Sequence, residues 1–443
     1  MKVTSVVLAL GLGAALAGAP SAQAEDVPVT LAEALALAGQ ANPELQAASA
    51  RVDAQTARTE SVRRMRWPRL GLSTGWSRMD MPAGVFANKL NAGQFTAADF
   101  DVAKINDPDA LSHLGTNLSL EVPIDVFGKV GNMATAMAAY GEAASAGTRD
   151  AAQEIRMRVT EAYRQAEMAG RAIEVTERVL GVAKAREAEI EARVETGSAL
   201  RADLLRARAR RREREADLAE RRGQQRMAQA GLARLLGAPA GVSYVPTEGP
   251  PAVLPLEGEE GAWVERAFRQ RPVLEAARRK AEAASSLVKS EKNGLLPDIG
   301  VFGQLWDDRV DVDRGNQSWA VGVGIKWAPF DPSRSKREAA ATAEQRAAAL
   351  DEKAASDQVR LEVALAYRRA VSARERHAAA AGGFEEGREA LRVVQERRKA
   401  GMATLTDELE TETAALGAAL QEIGAAAEVA IADAALKRAA GEI

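Results

Sequence analysis

Read for the spacing of its apolar positions, the chain contains two kinds of segment. From Ile155 the apolar or small residues Val159, Ala162, Ala166, Ala169, Ile173, Thr176, Leu180 and Ala183 follow at steps of mostly four and three, and the pattern resumes at Ile190 and Val194. Spacing of this kind, sustained over about five heptads, predicts a long helix with a supercoiled seam. The Arg and Glu residues between the seam positions form its solvated faces. Helical character runs from Gly128 to Gly197, roughly 65 to 70 residues, which at 1.5 Å per residue makes a rod of about 100 Å. Breaks at Thr196-Gly197-Ser198 and Ala400-Gly401-Met402 put a glycine where a left-handed residue ends one helix and lets another return. Two long helical hairpins are therefore expected.

The other kind of segment alternates with a period of two. Leu70, Leu72, Thr74 and Trp76 form one such run, and Leu118, Leu120, Val122 and Ile124 a second; Ile299, Val301 and Leu305, then Trp319, Val321, Val323, Ile325 and Trp327, form the other two. The predicted strand pairs are 68–80 with 114–126 and 297–309 with 317–329, each strand about the 9 to 11 residues that a tilted strand needs to cross a bilayer. Trp76, Trp306, Trp319 and Trp327, four of the six tryptophans, fall in these segments, where an aromatic girdle is wanted. Four strands cannot close on themselves, and an open edge in lipid leaves backbone groups unpaired at several kcal/mol each. Copies of the chain must share one barrel: two give eight strands and a filled interior, whereas three give twelve and leave a passage.

The chain also repeats itself. Pro43 falls on Pro272 and Pro68 on Pro297, an offset of 229, with Leu70 on Ile299 and Gly71 on Gly300. A second, ungapped match at an offset of 204 sets Ile155–Gly237 on Val359–Gly441, pairing Tyr163 with Tyr367, Gly197 with Gly401 and Asp203 with Asp407. The resulting division is 1–24, 25–237, a Pro-rich linker at 238–261, and 262–443. The extra length of the first repeat falls between Pro68 and Pro123, so the loop at 80–113 is the longer one.

Composition narrows the class. Lys2, the apolar run Val6–Ala19 and the small-x-small pattern Ala22-Gln23-Ala24 predict an export signal at 1–24. Beyond it no stretch is expected to cross a bilayer as a helix, because the Ala-rich run 414–436 carries Gln421, Glu422, Glu428 and Asp433. The chain has no cysteine, which removes disulfides, thiolate metal sites and a lipidated N-terminus. A net charge of −3 with 27% charged residues provides no basic field for nucleic acid. The run Arg206–Arg214 is followed by Glu215, Asp217 and Glu220 at helical spacing and reads as a salt-bridged face. Gly71-Leu72-Ser73-Thr74-Gly75 matches a nucleophile-elbow pattern, but that elbow needs a strand-to-helix turn and this segment reads as a strand. His113 and His377 lie far apart in sequence without an acidic cluster, so neither a metal site nor any other cofactor is expected.

The segment Pro123-Ile124-Asp125-Val126-Phe127-Gly128-Lys129, the repeated Gly-x-Ala-x-x-x-Asp motif at Gly197 and Gly401, and the proline-punctuated duplication resemble the TolC-like outer-membrane efflux proteins. The resemblance covers nearly all of the chain after the signal. It implies a mainly α chain with a membrane β part: a homotrimeric twelve-stranded β-barrel, four strands per chain, continued by a twelve-helix periplasmic α-barrel, with 238–261 in a belt around its middle. It places the protein in the outer membrane of a Gram-negative cell. It implies a passive exit duct, catalysing nothing, for tripartite efflux or type I secretion, with a periplasmic adaptor and an inner-membrane pump or ABC transporter as partners. The hairpin tips, Gly197, Ser198, Ala199 and Leu200 with Gly401, Met402, Ala403 and Thr404, are the expected adaptor contacts. By the same resemblance Asp407 and Glu410 match an acidic ring at the pore entrance, and Asp203 with Arg398 is a candidate gate link. Arg398 stands where the family usually has an aromatic, and Ala403 where some members have a basic latch residue. The rival reading is a periplasmic coiled-coil adaptor or structural protein; an adaptor normally has one hairpin flanked by small β-domains. A periplasmic serine hydrolase acting through Ser73 is a third.

Overall fold

The computed structural model describes residues 25–239, 241–249, 252–311 and 314–443. The expected export signal at 1–24 lies outside the described residues, as do three positions of the expected linker. The chain begins with β1 (Glu25–Val29), α1 (Leu31–Ala41) and α2 (Pro43–Arg63), then β2 (Arg69–Met79). The loop to β3 (Leu111–Ile124) carries two short helices, α3 (Pro82–Asn91) and α4 (Val102–Asn106). The first hairpin is α5 (Lys129–Glu195) with α6 (Arg201–Leu235). After β4 (Val242–Pro246) the order recurs: α7 (Glu260–Gln270), α8 (Pro272–Asn293), β5 (Asp298–Asp311), β6 (Arg314–Lys326), α9 (Pro332–Lys399) and α10 (Leu405–Ala440).

Local chemistry sets the boundaries. Thr30 caps α1 in a reciprocal box with Glu33: the Thr30 hydroxyl accepts the Glu33 N–H at 3.3 Å, and the Glu33 carboxylate accepts the Thr30 N–H at 2.9 Å. Prolines 43, 272 and 332 each open a helix, where a missing N–H costs nothing. Asp125 starts α5 by accepting the N–H groups of Val130 at 3.1 Å and Gly131 at 2.7 Å. Gly128 makes the turn between them at φ 69°.

The hairpins are asymmetric. α5 has 67 residues and α6 only 35; α9 has 68 and α10 only 36. Each return arm covers about half of its partner, and the remaining length of α5 is covered by α2 and α8, with α8 also against α9. The seam of α5 buries Ile155, Val159, Tyr163, Ala166, Ile173, Thr176, Leu180, Ala183 and Ile190. Tyr163 takes the place expected of its neighbour Ala162, which is only half-buried.

Among the described residues one helix, α10, is long and apolar enough to cross a membrane by length and composition, contrary to expectation. Two of its acidic residues are paired from the neighbouring arm, Glu428 with Arg376 at 2.6 Å and Asp433 with Arg374 at 2.8 Å. It packs against α9 and α5. This is a bundle helix whose alanines permit close approach.

The belt shows the duplication as contacts. In the first repeat the Asn42 side chain donates to the Leu235 carbonyl at 2.8 Å. In the second, Arg271, at the offset of 229, donates to the Ala439 carbonyl at 3.3 Å, itself 204 beyond Leu235. A Cβ at Gly237 would stand 2.6 Å from the Ala41 carbonyl oxygen, and one at Gly441 would stand 2.9 Å from Gln270, the counterpart of Ala41. The Tyr163 hydroxyl donates to the Val29 carbonyl at 3.1 Å and that of Tyr367 to the Gly258 carbonyl at 3.4 Å. Beside these contacts, β4 of the linker pairs in parallel with β1, Glu25 opposite Val242 through Val29 opposite Pro246.

Candidate functional site

Four strands form one antiparallel sheet in the order β2-β3-β5-β6. The register sorts their residues onto two faces. Leu72 stands opposite Leu118, Leu118 opposite Leu305 and Leu305 opposite Trp319; Val122 stands opposite Val301 and Val301 opposite Val323. These rows share one face, and it is open to the surroundings: Leu72 is 73% exposed and Trp319 74%. On the other face Ser73 opposes Asn117, Ser119 opposes Gln304, and Gln304 opposes Ala320. A sheet with strands of 11 to 14 residues, one greasy exposed face and one polar face has the alternation of a membrane barrel wall. Its outer strands β2 and β6 each pair on one side only, so it is an arc with two unsatisfied edges.

Trp76 and Trp319 lie on the apolar face, in the rows of Leu114 and Leu305. Trp327 follows β6 at its helix-proximal end, its indole N–H donating to the Leu295 carbonyl at 3.0 Å. Trp306 departs from the girdle expectation, because it stands opposite Asn117 and Ser318, on the polar face. A period of two makes a one-residue difference decisive. Trp67, at the helix-proximal end of β2 and 60% exposed, is the aromatic that the periodicity argument overlooked.

At the far end of the molecule the two hairpins turn in the same way. Gly197 at φ 73° and Gly401 at φ 74° end the long helices. Ser198 N–H returns to the Arg193 carbonyl at 2.8 Å and Met402 N–H to the Arg397 carbonyl at 2.8 Å, the Schellman closure that only a left-handed residue permits. Leu200 and Met402 project into solvent. Thr404 then caps α10 in a box with Asp407, whose carboxylate accepts the Thr404 N–H at 2.8 Å. That backbone hydrogen bond, reinforced by the Thr404 hydroxyl, holds the Asp407 carboxyl below the usual carboxylate range. Glu410 is exposed one turn on and lines a groove between α6 and α10 with Arg206 and Arg210.

Asp203 and Arg398 line one pocket at the tips, but they do not pair. Asp203 faces Arg206 at 3.6 Å, whereas Arg398 is bonded to Glu408. Glu408 is the residue that sequence reasoning missed. It is 3% exposed and is held by both Arg398 of α9 and Arg186 of α5, joining the two hairpins of the chain. At the offset of 204 its counterpart is Leu204, and that of Arg398 is Val194; in the first hairpin these pack with Ile190 and Ala207 as an apolar cluster. An ion pair across the second hairpin thus replaces an apolar contact across the first. The exchange is visible once the repeats are aligned. One turn further along α10, burial pushes the Glu412 carboxyl up, opposed by the charges of Arg210 and Arg214.

Other candidates take ordinary places. Ser73 sits in mid-β2 opposite Asn117, not at a strand-to-helix turn. His113 pairs with Asp308 at 2.9 Å and His377 lies 3.9 Å from Glu422. The arginines of 206–214 reach across the first hairpin, Arg208 to Glu191 at 2.5 Å and Arg211 to Glu187 at 2.6 Å.

A sequence profile of the family described as Outer membrane efflux protein matches residues 34–238 and 263–442. No curated protein matches the chain. Among solved structures, a membrane protein from Pseudomonas aeruginosa is similar at 20% identity, with 93% of either chain covered and a TM-score of 0.78. The outer membrane protein VceC from Vibrio cholerae is 20% identical over 93% of this chain and 96% of that one, with a TM-score of 0.74. The open state of the Neisseria gonorrhoeae MtrE outer membrane channel is 21% identical over 96% of this chain and 93% of that one, also at 0.74. At such identities the likeness is one of fold.

Proposed function

Because the chain belongs to the outer membrane efflux protein family, we propose that three copies form the passive exit duct of a tripartite export system. The observation that carries this is the four-stranded arc, greasy on one face, polar on the other and unpaired at β2 and β6. In lipid the free edges demand partners, and three arcs joined edge to edge make a twelve-stranded wall with the polar face toward the lumen. The helices continue the duct into the periplasm. A periplasmic coiled-coil adaptor is the weaker reading, because it leaves the greasy sheet face without a lipid to meet.

The exposed tips at Gly197–Leu200 and Gly401–Thr404 are the surface we assign to the periplasmic adaptor, behind which an inner-membrane pump or ABC transporter supplies the energy. Asp407 and Glu410, repeated three times, would make the entrance favour cations. The test is reconstitution. Detergent-purified protein should elute as a trimer and give unitary currents in planar bilayers, with cation preference reduced in Asp407→Ala/Glu410→Ala. A water-soluble monomer without currents would remove the duct, and unchanged selectivity would remove the acidic ring.

A further inference from the structure

We propose that α2 of one copy packs against α9 of the next in the way that α8 packs against α5 within the chain, and that Arg58 and Glu344 pair across this joint. The proposal rests on the duct reading, which supplies the further copies. α8 packs against both α5 and α9, whereas its repeat counterpart α2 packs against α5. The helices thus stand in the row α2-α5-α8-α9, and α2 and α9 each keep an exposed side. α2 leads into β2 and α9 follows β6, and these are the two strands paired on one side only. Joining β6 of one copy to β2 of the next therefore sets the exposed sides of α9 and α2 face to face, a head-to-tail contact of the kind that closes into a ring.

The duplication specifies what the joint contains. α2 matches α8 at the offset of 229, and α5 matches α9 at 204, its last residue Glu195 falling on Lys399. Within the chain Ala283 of α8 is buried with Ala136 and Ala139 of α5, and Leu287 and Tyr140 lie against that cluster. The counterparts Ala54, Ala340 and Ala343 are exposed, so the same small residues recur on two surfaces that meet nothing within the chain. Ala146 is wholly buried, and its counterpart Leu350 is 61% exposed. In place of Leu287 and Tyr140 stand Arg58 and Glu344, exposed residues of opposite charge, neither bonded among the described residues. A second position changes in the same sense. Arg279 stands between Glu142 and Glu282 at 2.8 Å from each; its counterpart is Ala50, and those of the two acids are Arg346 and Asp53, which are opposite in charge and need no bridge. The Ser290 hydroxyl donates to the Lys129 carbonyl at 2.9 Å, and Ser61, the same residue one repeat earlier, is exposed. Complementary charges at matched heights fix the register of the joint and disfavour a copy bound in the wrong order.

The chain has no cysteine, so an introduced pair reports the joint alone. Ala54→Cys with Ala343→Cys, oxidised in the assembled full-length protein, should link copies covalently, and either single variant should not. Arg58→Glu or Glu344→Arg should shorten the life of the detergent-purified assembly about tenfold, and the two together should restore it to within about threefold of wild type. Restoration by the exchanged pair separates a direct contact from a folding defect. An assembly that forms no cross-link in the cysteine pair and keeps its lifetime in both charge variants would overturn the α2–α9 joint and leave the duct standing. Wild-type protein that is a monomer in detergent would overturn the duct and the joint with it.

Discussion

Position 408 holds a glutamate where its repeat counterpart holds Leu204, and the exchange ties together three helices. Removing one partner of a buried pair leaves the others uncompensated, at about 3 to 5 kcal/mol. Glu408→Leu alone should therefore destabilise by roughly that amount, and Glu408→Leu with Arg398→Val, which rebuilds the apolar contact of the first hairpin, by clearly less. A double-mutant cycle in denaturant measures the difference; additive effects would show that Arg398 and Glu408 are not coupled. Glu412 titrates in the opposite sense from a paired carboxylate. Its folded carboxyl keeps its proton to higher pH than the ordinary 4.5, so the folded state binds more protons and stability falls as pH rises from about that value. Glu412→Gln should flatten that decline, as thermal melts between pH 4 and 8 would record. Asp407 was legible as an acidic residue at the tip, but its capping partner Thr404 gives it a structural task as well. Glu408 was hidden because periodicity counts a charged seam position as a break in pattern rather than as a contact.

At the scale of elements, helix, strand and turn could be placed from spacing and punctuation, because each depends on neighbours within a few residues. The contact that ends each return arm could not. α6 stops at Leu235 because Gly237 there takes φ 67° and sits against the Ala41 carbonyl, a contact between parts of the chain almost 200 residues apart. Alanine at 237 meets both a strained backbone and an occupied space, and should cost about 1 to 3 kcal/mol. Thermal melts of Gly237→Ala beside Gly231→Ala, where a Cβ meets nothing within 4 Å, isolate the effect; equal melting temperatures would show that the closure is slack. The pairing of β1 with β4 was equally invisible, since five-residue strands in a Pro-rich setting carry little periodic signal.

For the whole molecule, the deciding property is the difference between the faces of one sheet. Val323 lies on the greasy face midway between Trp319 and Trp327, so arginine there should cost about 2 to 4 kcal/mol and lower the yield of assembled protein in the membrane. Arginine at Ser73, on the polar face, should assemble normally and shift ion selectivity; equal loss of assembly in the two variants would show that the faces have been assigned the wrong way round. By itself the sequence determined the duplication, the long helices, the four strands, their alternation and the turns, all of which follow from local conformational preference and the period of apolar positions. Only the tertiary structure decided that Arg398 pairs with Glu408 rather than Asp203, and that β1 joins β4. Those outcomes depend on which side chains and strands meet across distant parts of the chain. Both are settled by global packing, and no nearby residue records the choice.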